Sequence, residues 1–320
     1  MSYQPPYTIT PLILQRVAEI VELLTRWEVA GDNALSPQLR RNNRIRTIQA
    51  SLAIENNTLS IEQVTAVLEG KTVLGLPREI QEVRNAFTAY EQLPNWQADS
   101  AADLLSAHGF LMAGLVDDAG CFRTGGVGIY NGQNLVHMAP PASRVPALMA
   151  DLLAWLASAP VHPLIASCVF HYEFEFIHPF ADGNGRMGRL WQTLILSQWQ
   201  LVLAYLPVES VIRDRQTAYY QALADADSLA DSTPFIEFML QALLDAMTEV
   251  STLTSGKMSA KTSGKILALI RENGLVTIPE LAVSIGVSER SIERNLKKLQ
   301  AEHRLSRIGF ANGGHWKVSE

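Results

Sequence analysis

Through most of the first 250 residues, apolar side chains recur three and four positions apart. A helical period sustained that long leaves little of the chain for sheet. ILQRVAEIVELLTRWEVA follows Pro5, Pro6 and Pro11 as a first helix. After a loop around Asn33 to Pro37, Ser36 is placed to cap a second helix with Pro37 at its first position, carrying RNNRIRTIQASLAIE. IEQVTAVLEG, stopped at Gly70, and PREIQEVRNAFTAYEQL form another pair, and a further helix begins at Asp103 and ends near Gly114. Helices are also expected over Val145 to Ala157, Pro163 to Ile177, Arg186 to Gln198 and, after Pro234, FIEFMLQALLDAMTEV. One segment breaks the pattern: CFRTGGVGIYNGQNLVHMAPPASRV is rich in glycine and β-branched residues around an Asn-Gly pair, which predicts a small β-hairpin or flap. The expected fold is all-α with that hairpin attached.

Charge divides the chain. From Lys257 to Glu320 there are 11 Lys and Arg against 6 Asp and Glu, a net of +5, so with a total of −6 the first 256 residues carry −11. STLTSGKMSAKTSG, just before this tail, has the composition of a linker. Beyond it come KILALIREN, IPELAVSIG, SERSIERNLKKLQAEH and a strand pair around Gly309 to Lys317, the order of a winged helix-turn-helix. The expected domains are 1–100 (N-terminal helices), 101–250 (core), 251–263 (linker) and 264–320 (winged unit). With 48% apolar residues the chain has the means to pack a core, and it has no run of roughly 18 to 20 apolar residues that would span a membrane. MSYQPPYTIT lacks the features of a signal peptide, so a cytoplasmic protein without membrane contact is expected. Cys121 and Cys168 form no CxxC pair, and both are expected to be buried small hydrophobes.

Chemistry concentrates in HPFADGNGRMGR, His178 to Arg189, a polar glycine-bearing loop that opens directly into a helix. The first N–H groups of a helix have no internal acceptor and lie at the positive end of its dipole, which makes an anion site. Gly183 and Gly185 admit close backbone approach, and Asn184 between them tolerates left-handed backbone, so the segment suits a phosphate nest. Arg186 and Arg189, three apart, add two guanidinium forks. Asp182 is a hard oxygen ligand beside this site, where magnesium is typically held together with phosphate oxygens. His178 is the candidate general base, because imidazole ordinarily titrates near neutral pH.

This string resembles the signature of the Fic family, HPFx(D/E)GNGRxxR, at every defining position. Most members of that family transfer AMP from ATP to a Ser, Thr or Tyr hydroxyl of a target protein and release pyrophosphate. The resemblance implies that His178 deprotonates the hydroxyl and that Asp182 holds Mg²⁺ across the α and β phosphates. It further implies that the Gly183, Asn184 and Gly185 backbone binds phosphates with Arg186, that Arg189 reaches the γ-phosphate, and that Phe180 anchors the loop by packing. The hairpin resembles the family's flap, so Val136, His137 and Met138 would pair with an extended target segment by strand addition. Tyr219 and Tyr220 resemble a tyrosine pair beside the nucleotide base, with Arg215 a weaker neighbour and ordinary core tyrosines the alternative. His171, two helical turns before His178 with no carboxylate at ligand spacing, reads as a packed histidine.

SLAIENNTLS resembles the family's inhibitory motif (S/T)xxxE(G/N), with Ser51, Glu55 and Asn56 at the required positions. A carboxylate delivered to the γ-phosphate position would pair with Arg189 and displace the nucleotide. In the winged unit, Ser288, Arg290, Ser291, Arg294, Asn295, Lys297 and Lys298 lie on or near the third helix, interrupted by Glu289 and Glu293, so contact with DNA or with protein is open. The expected partner is a protein with an acceptor hydroxyl, with self-modification and a homodimer left open. The competing reading is a DNA-binding regulator whose Fic domain senses nucleotide without turning it over.

Overall fold

A computed structural model describes residues 3–29, 36–131, 134–309 and 314–319. The chain divides into two compact units, Met1–Thr248 and Glu249–Glu320.

The first unit is helical apart from one hairpin. Helix α1 (Pro11–Val29) buries Ile13, Ile20, Leu24 and Trp27 along one stripe. Helix α2 (Pro37–Ile54) starts at Ser36, whose Oγ accepts from the Leu39 N–H at 3.4 Å, with Pro37 at the first helical position. Its buried side is unusually polar, including Asn43, Arg44, Thr47 and Ser51. It stops where Asn56 turns left-handed (φ +66°), leaving Glu55 as its C-cap. Helices α3 (Ile61–Leu68), α4 (Pro77–Gln92) and α5 (Ala101–Leu111) follow.

Strands β1 (Gly128–Asn131) and β2 (Asn134–Met138) pair antiparallel, Gly128 opposite Met138 and Ile129 opposite His137, with an irregularity between Ile129 and Tyr130. Gly132 of the Asn-Gly turn lies outside the described residues, as do residues 33–35 of the loop before α2. Helix α6 (Val145–Ala157) leads to the central pair, α7 (Pro163–Ile177) and α8 (Asn184–Trp199). Leu164 through Ile177 are buried except Phe176, so α7 is enclosed on all sides. Against it packs α8, whose Trp191 is fully buried and donates Nε1–H to the Ala98 carbonyl at 2.9 Å. Helices α9 (Val208–Asp214), α10 (Gln216–Leu229) and α11 (Thr233–Glu272) complete the order.

Three expectations change. Residues 1–100 are not a unit of their own: α2 packs on α4, α8 and α9 inside the same compact body as the core. The 251–263 stretch is helical backbone within α11, not an irregular linker. Its sequence holds no proline, and a glycine inside a helix costs only about 1 kcal/mol. Cys168 is buried but Cys121 is exposed, because the chain turns there, with the Cys121 N–H bonded to the Asp118 carbonyl, and Phe122 is the neighbour that packs on Phe180.

In the second unit, α12 (Ile278–Ile285), α13 (Glu289–Ala301), β3 (Leu305–Ile308) and β4 (His315–Val318) follow the end of α11. Ile266, Ile270, Leu281, Ile292, Leu296, Leu299, Leu305 and Trp316 form its core. The strands pair from Leu305 opposite Val318 to Ile308 opposite His315, so the pair begins before Gly309, and residues 310–313 lie outside the described set. Among the described residues, no helix is long and apolar enough to cross a membrane.

Candidate active site

The loop between α7 and α8 is held in shape by its own residues. α7 ends as His178 turns left-handed (φ +50°), with the His178 N–H still bonded to the Phe174 carbonyl at 2.9 Å. Two residues on, Phe180 is fully buried and stacks on His108, ring centroids 3.7 Å apart. Asn184 then closes the loop: its Oδ1 accepts from the Phe180 N–H and its Nδ2 donates to the Phe180 carbonyl, both at 2.9 Å. The left-handed residue is Gly183 (φ +84°), while Asn184 is the first residue of α8. The expected left-handed role of Asn184 is thus taken by its neighbour, and the asparagine side chain braces the turn. A Cβ on Gly183 would lie 2.7 Å from Met112 Sδ. The first bond of α8 runs from the Met187 N–H to the Gly183 carbonyl, so the N–H groups of Asn184, Gly185 and Arg186 have no acceptor within the helix.

Three carboxylates meet the arginines of this helix start. Arg189 is buried, its side chain 1% exposed; its Nη2 lies 2.8 Å from Glu55 Oε1. Nε of the same guanidinium donates to Ser51 Oγ (3.1 Å), and Nη2 also to the Ser51 carbonyl (3.0 Å). Burial pulls the Arg189 pKa down most strongly of any single cause, but the surrounding groups, Glu55 foremost with Tyr219 and Glu175, together hold it above its ordinary value. A Cβ on Gly185 would collide with Glu55 Oε1, so this glycine is what lets the carboxylate reach the helix end. Arg186 does not share its partner with Arg189. It bonds Asp182 Oδ1 (3.0 Å) and Glu82 Oε1 (3.3 Å), and Glu82 is braced by Asn57 Nδ2 (2.8 Å).

Asp182 accepts from the Gly183 N–H (2.6 Å) and, at Oδ2, from Arg78 Nη2 (3.1 Å), with its side chain 43% exposed. No cluster of three or more His, Cys, Asp or Glu that could hold a metal occurs among the described residues. A single half-exposed carboxylate therefore fits a hard cation only where substrate oxygens and water complete its shell, the usual magnesium arrangement at phosphates.

His178 Nδ1 lies 3.3 Å from the Glu175 carbonyl. A carbonyl only accepts, so this contact assigns the proton to Nδ1 and makes Nε2 the basic nitrogen of the ring. His108 is pinned the same way. The Gly120 N–H donates to its Nδ1 (2.8 Å), so Nε2–H donates to the Asp182 carbonyl (3.0 Å), and burial keeps its pKa low and the ring neutral.

The remaining candidates separate. Tyr219 is buried, its hydroxyl 3.2 Å from His171 Nε2 and its ring among Tyr220, Phe235 and Phe238. His171 is a packed histidine whose other nitrogen meets Gln192 Oε1 at 2.7 Å; contrary to expectation a carboxylate does lie one turn on, Glu175 Oε1 being 3.8 Å from Nε2, and burial lowers the His171 pKa to about 3. Tyr220 is half-exposed and close to Gln216, which donates to the Ile54 carbonyl at the end of α2. Arg215 is turned to Asp245 (2.6 Å). In the hairpin, Met138 is exposed, while the side chains of Val136 and His137 lie outside the described residues.

Sequence reasoning passed over Arg78, His108 and Arg123. The only signal for His108 was a histidine on the apolar LLSAHGFLMAG helix, and no motif in the sequence marks Arg78 or Arg123.

Comparison with known proteins agrees with this geometry. Residues 98–196 match the model of the Fic/DOC family, and residues 260–304 that of a winged helix-turn-helix DNA-binding family. Curated relatives include "Protein adenylyltransferase fic-1" of Caenorhabditis briggsae, 31% identical over 63% of this chain and 40% of that one. Another is "Protein adenylyltransferase Fic" of Drosophila virilis, 26% identical over 83% of this chain and 59% of its own. The chain thus spans between 40% and 59% of these relatives' lengths. Among solved structures, a Fic family protein from Desulfovibrio desulfuricans G20 is 55% identical with a TM-score of 0.76, covering 99% of this chain and 98% of that one. Fic-1 (residues 134–508) of C. elegans shares the fold at 22% identity, with a TM-score of 0.62 over 77% of this chain and 73% of that one.

Proposed function

The chain belongs to the Fic family, and from that premise we propose that it is a protein adenylyltransferase restrained by its own α2. The observation that carries the proposal is the Arg189–Glu55 pair at the start of α8: an anion subsite with a carboxylate already in it. Curated relatives named protein adenylyltransferase support the same reading.

His178 Nε2 takes the proton of a Ser, Thr or Tyr hydroxyl as its oxygen bonds to the α-phosphorus of ATP. The bond from that phosphorus to the bridging oxygen breaks, and pyrophosphate leaves. The free N–H groups of α8 and Arg186 hold the phosphates, Arg189 takes the terminal anion once Glu55 has withdrawn, and β2 guides the acceptor segment by its backbone. Mg²⁺ at Asp182 would neutralise charge on the departing pyrophosphate. The acceptor lies on a partner protein or on the chain itself.

Incubating the Glu55→Gly chain and cell lysate with ATP labelled at the α or the γ phosphate tests this. Protein should retain the α label and lose the γ label. Retention of γ label would mean phosphoryl transfer, and ATP binding with neither label retained would leave a nucleotide sensor.

For the second unit we propose DNA contact through α13, whose Arg290, Arg294, Lys297 and Lys298 are exposed on one helix. Arg294→Glu should weaken retention on duplex DNA at low salt; equal retention by both proteins removes that reading.

A further inference from the structure

Arg123 lies in neither the signature nor the inhibitory motif, yet it is only 3% exposed and its guanidinium is spent wholly on main-chain oxygens among its described bonds. Nε donates to the His178 carbonyl (2.7 Å) and Nη2 to the Ile177 carbonyl (3.3 Å). Its own backbone N–H donates to the Pro179 carbonyl (2.9 Å). One residue thereby meets three consecutive carbonyls where the chain leaves α7, groups that a helix end cannot satisfy internally. The cation also faces the negative end of the α7 dipole. The other side of the fork reaches the hairpin: Nη1 donates to the Gly125 carbonyl (2.8 Å) and Nη2 to the Pro140 carbonyl (2.5 Å). Those residues are the two feet of the β1–β2 ribbon, joined between them by the Ala139 N–H to Val127 carbonyl bond (3.2 Å).

A left-handed backbone at a histidine is strained and persists only where its surroundings impose it. Arg123 supplies that imposition, and the same planar group fixes the strand pair on which an acceptor segment would lie. We propose that Arg123 is a positioning residue that sets the general base and the acceptor-docking hairpin in one register. The inference rests on the adenylyltransferase reading for what the register serves, though the clamp itself does not. A lysine has one donor centre and no fork, so it cannot span four carbonyls.

Arg123→Lys and Arg123→Ala, each in the Glu55→Gly chain, test it. Transfer of α-labelled AMP should slow about 100-fold, the scale of an ångström-sized misplacement. ATP affinity by calorimetry should stay within about threefold, because the phosphate half of the loop is braced independently by Asn184 and His108, so the loss falls on kcat. Amide exchange over 128–131 and 134–138 should quicken about tenfold, and the His178 Cε1–H resonance should shift in the same variants. Unchanged exchange and an unmoved resonance overturn the clamp, and ATP affinity falling in step with transfer reduces Arg123 to a general fold residue. If the Glu55→Gly parent binds ATP but transfers nothing, the adenylyltransferase reading fails, while exchange and the imidazole resonance still decide the clamp.

Discussion

Replacing His178 with alanine in a chain freed of Glu55 is expected to slow AMP transfer by about 10² to 10⁴-fold, the range over which a positioned base contributes. ATP affinity should change by less than about threefold. The separation follows from the geometry. The imidazole is oriented by Glu175 at the end of α7, whereas the anion-binding groups belong to α8 and are braced through Asn184 and His108. Initial rates with α-labelled ATP, beside a calorimetric titration, read the two quantities apart. A variant that loses affinity and rate together would show that His178 matters as the left-handed residue shaping the loop, not as a proton acceptor.

The site was legible because its chemistry is local in sequence. His178, Asp182, Arg186 and Arg189 lie within twelve residues, and a polar loop opening into a helix is an anion site whatever surrounds it. Glu55 was legible only through motif resemblance, since nothing in residues 51 to 60 shows that α2 will meet α8 from 134 positions away. What supports the site was not legible. Arg123 and His108 act on backbone carbonyls through tertiary contacts, and a carbonyl leaves no trace in the identity of its residue. Tyr219 shows the opposite failure: the sequence presents two adjacent tyrosines, and packing alone sends one into the core against His171 and leaves the other half-exposed.

Helix existence followed from periodicity, with α6 and α7 ending where the pattern ends. Domain limits did not follow, because composition is a weak guide to backbone. Residues 251–263 are rich in serine and threonine yet helical, since neighbouring turns propagate through them. The polar buried side of α2 explains why residues 1–100 do not stand apart. Asn43 bonds the Tyr205 carbonyl, Arg44 lies over the Tyr90 and Tyr205 rings, and Ser51 holds Arg189, so this helix is satisfied only inside the core.

Removing Glu55 should therefore move stability and nucleotide affinity in opposite directions. Without ATP, Glu55→Gly leaves Arg189 buried with Ser51 as its hydrogen-bond partner among the described residues. Breaking a fully buried pair costs about 3–5 kcal/mol. Glu55 is 34% exposed, so water screens part of that, and a loss of about 1–3 kcal/mol is expected. Glycine itself adds little, because it replaces a C-cap at the end of α2 and not an interior helical residue. With ATP the sign reverses. The nucleotide no longer has to displace a charge-assisted bond worth about 1.5–3 kcal/mol, which corresponds to roughly 10- to 150-fold tighter binding. Thermal unfolding at fixed Mg²⁺ reads both: the native chain should melt higher without nucleotide, and the variant should gain more on adding ATP. Equal gains in the two proteins would mean that the carboxylate and the triphosphate do not compete for Arg189, and the restraint would have to act on the acceptor instead.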